Sequence, residues 1–269
     1  MSDEMNERPE NPVLGENEHE SDEIEMSFLD HLEELRSRLV KSVLGLLVAV
    51  IACSIFSDWL VNDVVLRPSR IITPPLNLIN TIPYGQITFY MSVVITAGLI
   101  LSSPWILYQM WKFVEPGLRE RERKYISGIV ASTTFCFLSG VAFAYFLMLP
   151  YMLQFFATFG SPDIHNMISV TEYMSFTLQL VLLSGLIFEL PMVAYFLARF
   201  GILTPAFMRH YRRHAAIAIL VAAAIITPTT DPLTLAVFSL PMFLLYEVSI
   251  WIAAVAVRKR AEADATTSS

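Results

Sequence analysis

The sequence predicts an all-α integral membrane protein: six transmembrane helices in a cupped, concave bundle, with both termini cytoplasmic. Three observations carry that expectation. Hydrophobic residues make up 55% of the 269-residue chain and charged residues only 16%, where soluble domains carry about 25% charge. Apolar runs recur along the chain between polar or proline-rich segments. Lysine and arginine gather on one side of those runs, which is the signature of cytoplasmic loops.

The chain opens on an acidic tail. Ten of its 25 acids (Asp3, Glu4, Glu7, Glu10, Glu16, Glu18, Glu20, Asp22, Glu23 and Glu25) lie in the first 25 residues beside one base, Arg8. So little apolar content predicts disorder over residues 1–25. The net charge of -7 comes largely from this tail. A secretory signal needs a basic start and an early apolar core, so the first span is expected to stay in the membrane. The membrane domain is expected over residues 26–257, followed by a short cytoplasmic tail over 258–269.

A helix start follows. Ser27 with Asp30 reads as a capping box. Phe28, Leu32, Leu35 and Leu39 recur every three or four residues and form one apolar face. Asp30 shares a face with Glu34, and Glu34 with Arg38. Residues 42–56 carry no charge, so the charged turn feeds directly into a span.

Six spans are expected, at about residues 41–56, 87–113, 126–149, 174–197, 215–227 and 233–257. The fifth is short: about 13 residues cover roughly 20 Å, against about 30 Å of hydrocarbon. Flanking anchors or local thinning of the bilayer would accommodate it. With these spans, 16 lysines and arginines fall on one side and only Arg67 and Arg70 on the other. That asymmetry predicts cytoplasmic termini.

The loops have distinct character. Pro68, Pro74, Pro75 and Pro83 disfavour a long helix in the first outer loop, leaving Leu76, Leu78 and Ile79 to rest on the membrane surface. The second outer loop is expected to begin at Pro150 with a short interfacial helix. The third, from Thr227 to Pro232, reads as a rigid turn. Pro104, Pro191 and Pro241 interrupt spans two, four and six, and bends there favour a cupped bundle. Gly45, Gly98, Gly128, Gly140 and Gly185 offer close-packing positions.

Glu189 is the most informative single residue. It lies ten residues before Arg199, roughly 15 Å along a helix, which puts it near mid-bilayer. A carboxylate there is costly unless paired, hydrated or protonated. It either lines a wet cavity facing an inserted chain or bonds a neighbouring helix as the acid. Gln179 lies ten residues earlier, on roughly the same side. Glu247, about 16 Å from Arg258 by the same rise, is a second intramembrane acid. In the first cytoplasmic loop, Glu120 and Glu122 stand among Arg119, Arg121, Arg123 and Lys124. This is either a solvated helix start or a set of carboxylates held for an incoming guanidinium, which carboxylates bind in bidentate geometry.

Enzymatic chemistry finds no support. No P-loop, GxGxxG, GxSxG or HExxH occurs, and no paired aspartate or Ser/His set lies in the spans. Cys53 and Cys136 read as small core residues, and no Cys/His spacing points to a metal. No cofactor and no nucleic-acid partner are expected.

The motifs together resemble the TatC family, the receptor subunit of the twin-arginine protein translocase. His31-Leu-Glu-Glu-Leu-Arg36 carries the resemblance, as does Ser103-Pro-Trp-Ile-Leu-Tyr-Gln-Met-Trp-Lys-Phe-Val-Glu-Pro-Gly-Leu118. Phe188-Glu-Leu-Pro191 and Thr227-Pro228 with Asp231-Pro232 add to it. The resemblance runs from about residue 27 to residue 257. It implies a cupped six-helix fold, single-span TatA and TatB partners, and a homo-oligomer within the receptor complex.

It also implies that Glu34 and Glu122 bind the paired arginines of a signal peptide, with Arg36, Arg123 and Lys124 beside them. Glu189, Gln179, Pro68 and Asp231 fall at positions of insertion or partner contact. Two departures stand out. Thr229 and Thr230 separate Pro228 from Asp231, and Thr234-Leu235 replaces a common Ser-Gln pair.

The expected function is therefore reception and export of folded proteins across the bacterial inner membrane, driven by the proton motive force. The alternative is a proton-coupled small-solute transporter using Glu189 and Glu247.

Overall fold

The computed structural model describes residues 13–115, 126–159, 167–226 and 232–265. Helix α1 (Val13–Ile55) is the first and longest element. It passes through Ser27 without a break, so the helix start expected there lies at Val13 instead. Propagating an existing helix costs far less than nucleating one, and glutamate is a good helix former. A helix anchored in the span can thus take in residues 13–25, whose composition would not support a fold alone.

After α1 the chain turns through α2 (Ser57–Trp59), a π-helical turn at Leu60–Val65, and α3 (Arg67–Ile71). Strand β1 (Asn77–Ile79) leads to α4 (Gly85–Val114), which keeps Pro104 in its interior. Then follow α5 (Ile126–Phe143), a second π-helical turn at Ala144–Met148, α6 (Leu149–Thr158) and β2 (Met167–Ser169). The fourth span is two helices, α7 (Val170–Ile187) and α8 (Leu190–Arg199). Short α9 (Pro205–His210) precedes α10 (Arg212–Ile226) and α11 (Pro232–Ala265).

Among the described residues, five stretches are long and apolar enough to cross a membrane: His31–Ile55, Gly85–Val114, Ser127–Thr158, Val170–Arg199 and Leu235–Arg258. The short fifth span is α10, whose 15 residues reach roughly 22 Å. Helix α1 packs on α4, α4 on α5 and α7, and α5 on α7. Helix α8 packs on α11, as does α10. Small residues set the α8–α11 approach, with Ala194 and Ala198 clustered with Ala253 and Ala256. On α1, Leu39, Val43, Leu47, Val48, Ile51 and Ile55 are exposed, which is the face a bilayer would cover. Leu32 and Leu35 are exposed with them.

The end opposite the termini is closed by a cap. Val61, Ile72, Phe89, Leu149, Met152, Leu153 and Tyr173 form its core. Pro68 is buried within it and explains part of its wiring. Proline has no N–H, so the carbonyl of Val64, four residues earlier, lacks its helical donor. The Tyr145 hydroxyl donates to that carbonyl at 2.7 Å, and the Tyr173 hydroxyl to Val65 at 2.6 Å. Gln154 clasps Thr73 from both sides, accepting from its N–H at 3.1 Å and donating to its carbonyl at 2.6 Å.

One expectation about the outer loops is corrected here. Leu78 and Ile79 do not rest on the membrane surface but pair in parallel with Ile168 and Ser169. A three-residue ladder satisfies backbone groups that a surface loop would leave to water. The short helix expected from Pro150 is α6 (Leu149–Thr158), and it follows α5 without a loop. The π turn at 144–148 widens the ladder to i→i−5 bonding, with the Leu149 N–H reaching the Ala144 carbonyl. That removes the clash between the proline ring and the preceding turn, so helical structure continues from α5 to Thr158.

A cavity of about 870 Å³ opens between α1, the cap, α4, α5 and α7. Cys53, Phe56, Trp59, Ile100, Leu138 and Phe146 are among its lining residues, which are almost entirely apolar. It is the concavity expected of a cupped bundle.

Candidate functional site

The register between α1 and α4 builds the site. At the end carrying the termini, His31 stacks on Phe113 with ring centroids 4.5 Å apart. Two turns on along α1, Arg38 donates to the side-chain carbonyl of Gln109 at 3.4 Å. The Trp105 indole N–H donates to the Lys41 carbonyl at 3.0 Å. Near the cap end, a Cβ on Gly98 would come within 2.5 Å of Val50 Cγ2, so glycine permits the crossing. The antiparallel pairs 31–113, 38–109 and 41–105 fix which turns face each other. Glu34 therefore sits level with the last turn of α4, which ends at Val114.

The Glu34 carboxylate is already engaged. Arg38 donates to its Oε1 through Nη2 at 3.1 Å and Nε at 3.4 Å. Both side chains are partly exposed, 30% for Glu34 and 25% for Arg38. Arg36, two residues away, is exposed. At the end of α4, Lys112 and Glu115 form an ion pair of 2.8 Å. Glu122, Arg123, Lys124 and Asp231 lie outside the described residues. Gln109 was not singled out from sequence, yet a glutamine inside an apolar span is the kind of polar residue that marks interhelical bonding.

Glu189 lies at the break in the fourth span, as N-cap of α8. Gly140 of α5 makes the close approach there: its Cβ would sit 2.6 Å from the Ser184 carbonyl oxygen and 2.8 Å from Phe188 Cβ. The Glu189 Oε1 is buried with no hydrogen-bond partner among the described residues. Gln179 does not join it. Its amide donates to the Ile225 carbonyl at 3.1 Å, one of the orphan carbonyls at the end of α10. Ten residues at 100° each fall about 80° short of three full turns, and the break at 188–189 adds to the divergence.

Glu247 is not an unpaired intramembrane acid. Arg212 of α10 donates to its Oε2 at 2.7 Å, and both side chains are half-exposed. A base 35 residues earlier in sequence was invisible to span-by-span reading. The transporter alternative relied on two coupled acids, and this ion pair takes one of them. Pro68 belongs to the cap, at the far end of α4 from Glu34. Among the described residues, no cluster of His, Cys, Asp and Glu has the makings of a metal site.

The family model for the Sec-independent protein translocase protein (TatC) matches residues 30–241. The chain belongs to the TatC family. It is 37% identical over 232 residues to the TatC of Koribacter versatilis, covering 85% of each chain. It is 35% identical to TatCy of Bacillus subtilis, covering 90% of this chain and 94% of that one. A crystal structure described as the twin-arginine translocase receptor TatC superposes with a TM-score of 0.74. Identity there is 32%, over 84% of this chain and 99% of that chain. A second, of the same receptor in the detergent DDM, gives 0.75 at 33% identity. This TatC chain is thus an all-helical, six-span membrane protein and a subunit of the Sec-independent translocase. Of its two departures from the common pattern, Thr229 and Thr230 before Asp231 fall outside the described residues, and Thr234-Leu235 lies in the first turn of α11.

Proposed function

We propose that the chain receives twin-arginine signal peptides at the cytoplasmic surface, with Glu34 and Glu122 binding the two guanidinium groups. The α1–α4 register carries this reading, because it sets Glu34 beside the end of α4 from which the loop bearing Glu122 departs. Seven residues separate Glu115 from Glu122, and an extended chain of that length reaches at most about 25 Å. Carboxylates suit this ligand, since planar guanidinium is recognised by paired oxygens. Arg36, Arg123 and Lys124 flank the acids and would reject a peptide that offered only diffuse positive charge.

Both termini face the cytoplasm in this reading, supported by the asymmetry of lysine and arginine. The protein resides in the bacterial inner membrane. It works with TatA and TatB, as a homo-oligomer within the receptor complex, and passes folded cargo at the expense of the proton motive force. The apolar stretch of the peptide enters along the 870 Å³ concavity. Glu189, Gln179, Pro68 and Asp231 serve insertion or partner contact. Of these, Glu189 stands at the break between α7 and α8, with a buried oxygen that has no hydrogen-bond partner among the described residues.

The test is crosslinking of a twin-arginine peptide to the full chain in membranes. Glu34→Gln and Glu122→Gln are each expected to weaken the crosslink and the double change to abolish it. An undiminished crosslink in a correctly inserted double variant would rule the clamp out.

A further inference from the structure

We infer that Arg38 and Gln109 are positioning residues, which together hold the Glu34 carboxylate with one oxygen turned toward the incoming guanidinium. The inference rests on Glu34 being a receiver of the peptide's arginines, as proposed above. Its starting point is an asymmetry in the Arg38 contacts. Nε and Nη2 both donate to the same oxygen of Glu34, Oε1, at 3.4 and 3.1 Å. Among the described residues, Oε2 accepts no hydrogen bond. Among the described residues, the carboxylate is gripped at Oε1 only.

The third contact is what distinguishes this from an ordinary surface pair. A Glu–Arg pair four residues apart on an exposed helix is weak and loose, because both side chains keep their rotamer freedom. Here Nη1 donates to Gln109 Oε1 at 3.4 Å. Gln109 belongs to another helix and is only 3% exposed, so its amide is a fixed point. The planar guanidinium then cannot swing without losing either Gln109 or Glu34, and the Glu34 rotamer is held with it. Ordering the carboxylate before binding removes part of the entropy loss of association.

The residue types fit that role. Glutamine supplies a neutral acceptor; a glutamate at 109 would compete with Glu34 for Arg38. Arginine supplies donors in a rigid fork, which a lysine ammonium does not reproduce. Arg38 also neutralises Glu34 at Oε1, so a diffuse cation gains little at this site. A guanidinium that donates to Oε2 along its lone-pair direction gains more. The trio is therefore expected to govern the choice between arginine and lysine as well as affinity.

The experiment compares twin-arginine and twin-lysine signal peptides binding to the full-length chain in nanodiscs. The variants are Gln109→Met, which keeps the volume and removes the acceptor, and Arg38→Lys, which keeps the charge and removes the fork. Each is expected to weaken twin-arginine binding by roughly tenfold, the scale of one charge-assisted hydrogen bond, with twin-lysine binding changed much less. The arginine-to-lysine preference falls accordingly. An equal loss for both peptides would mean that the trio only glues α1 to α4, and the inference would be wrong. Wild-type or tighter arginine binding would equally overturn it, the latter making Arg38 a competitor. Glu34→Gln, run alongside, separates the two levels. If it leaves arginine binding intact, the receptor role of Glu34 fails, whatever the other variants do.

Discussion

Gly140→Ala is a sharp test of the packing that supports Glu189. The added Cβ would lie 2.6 Å from the Ser184 carbonyl oxygen, 2.8 Å from Phe188 Cβ and 2.9 Å from Gly185 Cα. Carbon atoms rest at about 3.5–4.0 Å, so α5 and α7 must part by about 0.7 Å. Two of the three obstructing atoms are backbone, which cannot rotate away. Overpacking of this kind costs about 1–3 kcal/mol, against about 0.5–1 kcal/mol gained from alanine in a helix. The net loss is about 1–2 kcal/mol, or roughly 2–8 °C in Tm for a chain of this size. Gly128 on the same helix is the control, because nothing lies within 4 Å of its Cβ position. Gly128→Ala is expected to be neutral or slightly stabilising. The assay is thermal unfolding of both variants in the same detergent, with export of a reporter measured in parallel. Export is expected to fall in Gly140→Ala, because the displaced turn carries Phe188 and Glu189. A Gly140→Ala variant that unfolds no earlier than Gly128→Ala would refute the close approach.

Two further outcomes follow from the cap and the ion pair. Tyr173→Phe removes the 2.6 Å bond to the Val65 carbonyl from a buried position and is expected to cost about 1 kcal/mol. Faster proteolysis between residues 57 and 84 would register the loosened cap, and unchanged proteolysis would count against it. Glu247→Gln breaks the 2.7 Å pair with Arg212, but half-exposed pairs contribute about 0–1 kcal/mol. Export is therefore expected to stay within about twofold of wild type by that estimate, whereas a proton-coupling acid would lose it.

The legible part of this protein lay in signals that one segment carries by itself. Residues 42–56 lack charge, and Arg119 to Lys124 crowd a single loop; hydropathy and charge needed no partner to be read. The cap was harder. Short helices at Pro68 and Pro150 agree with the reading of those prolines, but the π turn that precedes each was not legible. Widening the hydrogen-bond ladder is a backbone adjustment with no side-chain signature. The β1–β2 pair was missed for a related reason: three residues are too few to show a period, and the partner lies 90 residues away. Glu247 looked unpaired because Arg212 belongs to another helix.

The sequence by itself determined that the chain is a bundle of membrane helices, and it determined the family, through motifs that are each a short contiguous stretch of chain. It also singled out Glu34 and Glu189, because a charge placed at or within an apolar run is conspicuous whatever surrounds it. Only the tertiary structure decided the neighbours: Gln109 behind Arg38, Ile225 rather than Glu189 beside Gln179, Arg212 against Glu247. Helical periodicity states which face a residue is on. Which face of which other helix meets it depends on register, and register here is set by the His31–Phe113 stack, the Trp105–Lys41 bond and the missing side chain at Gly98.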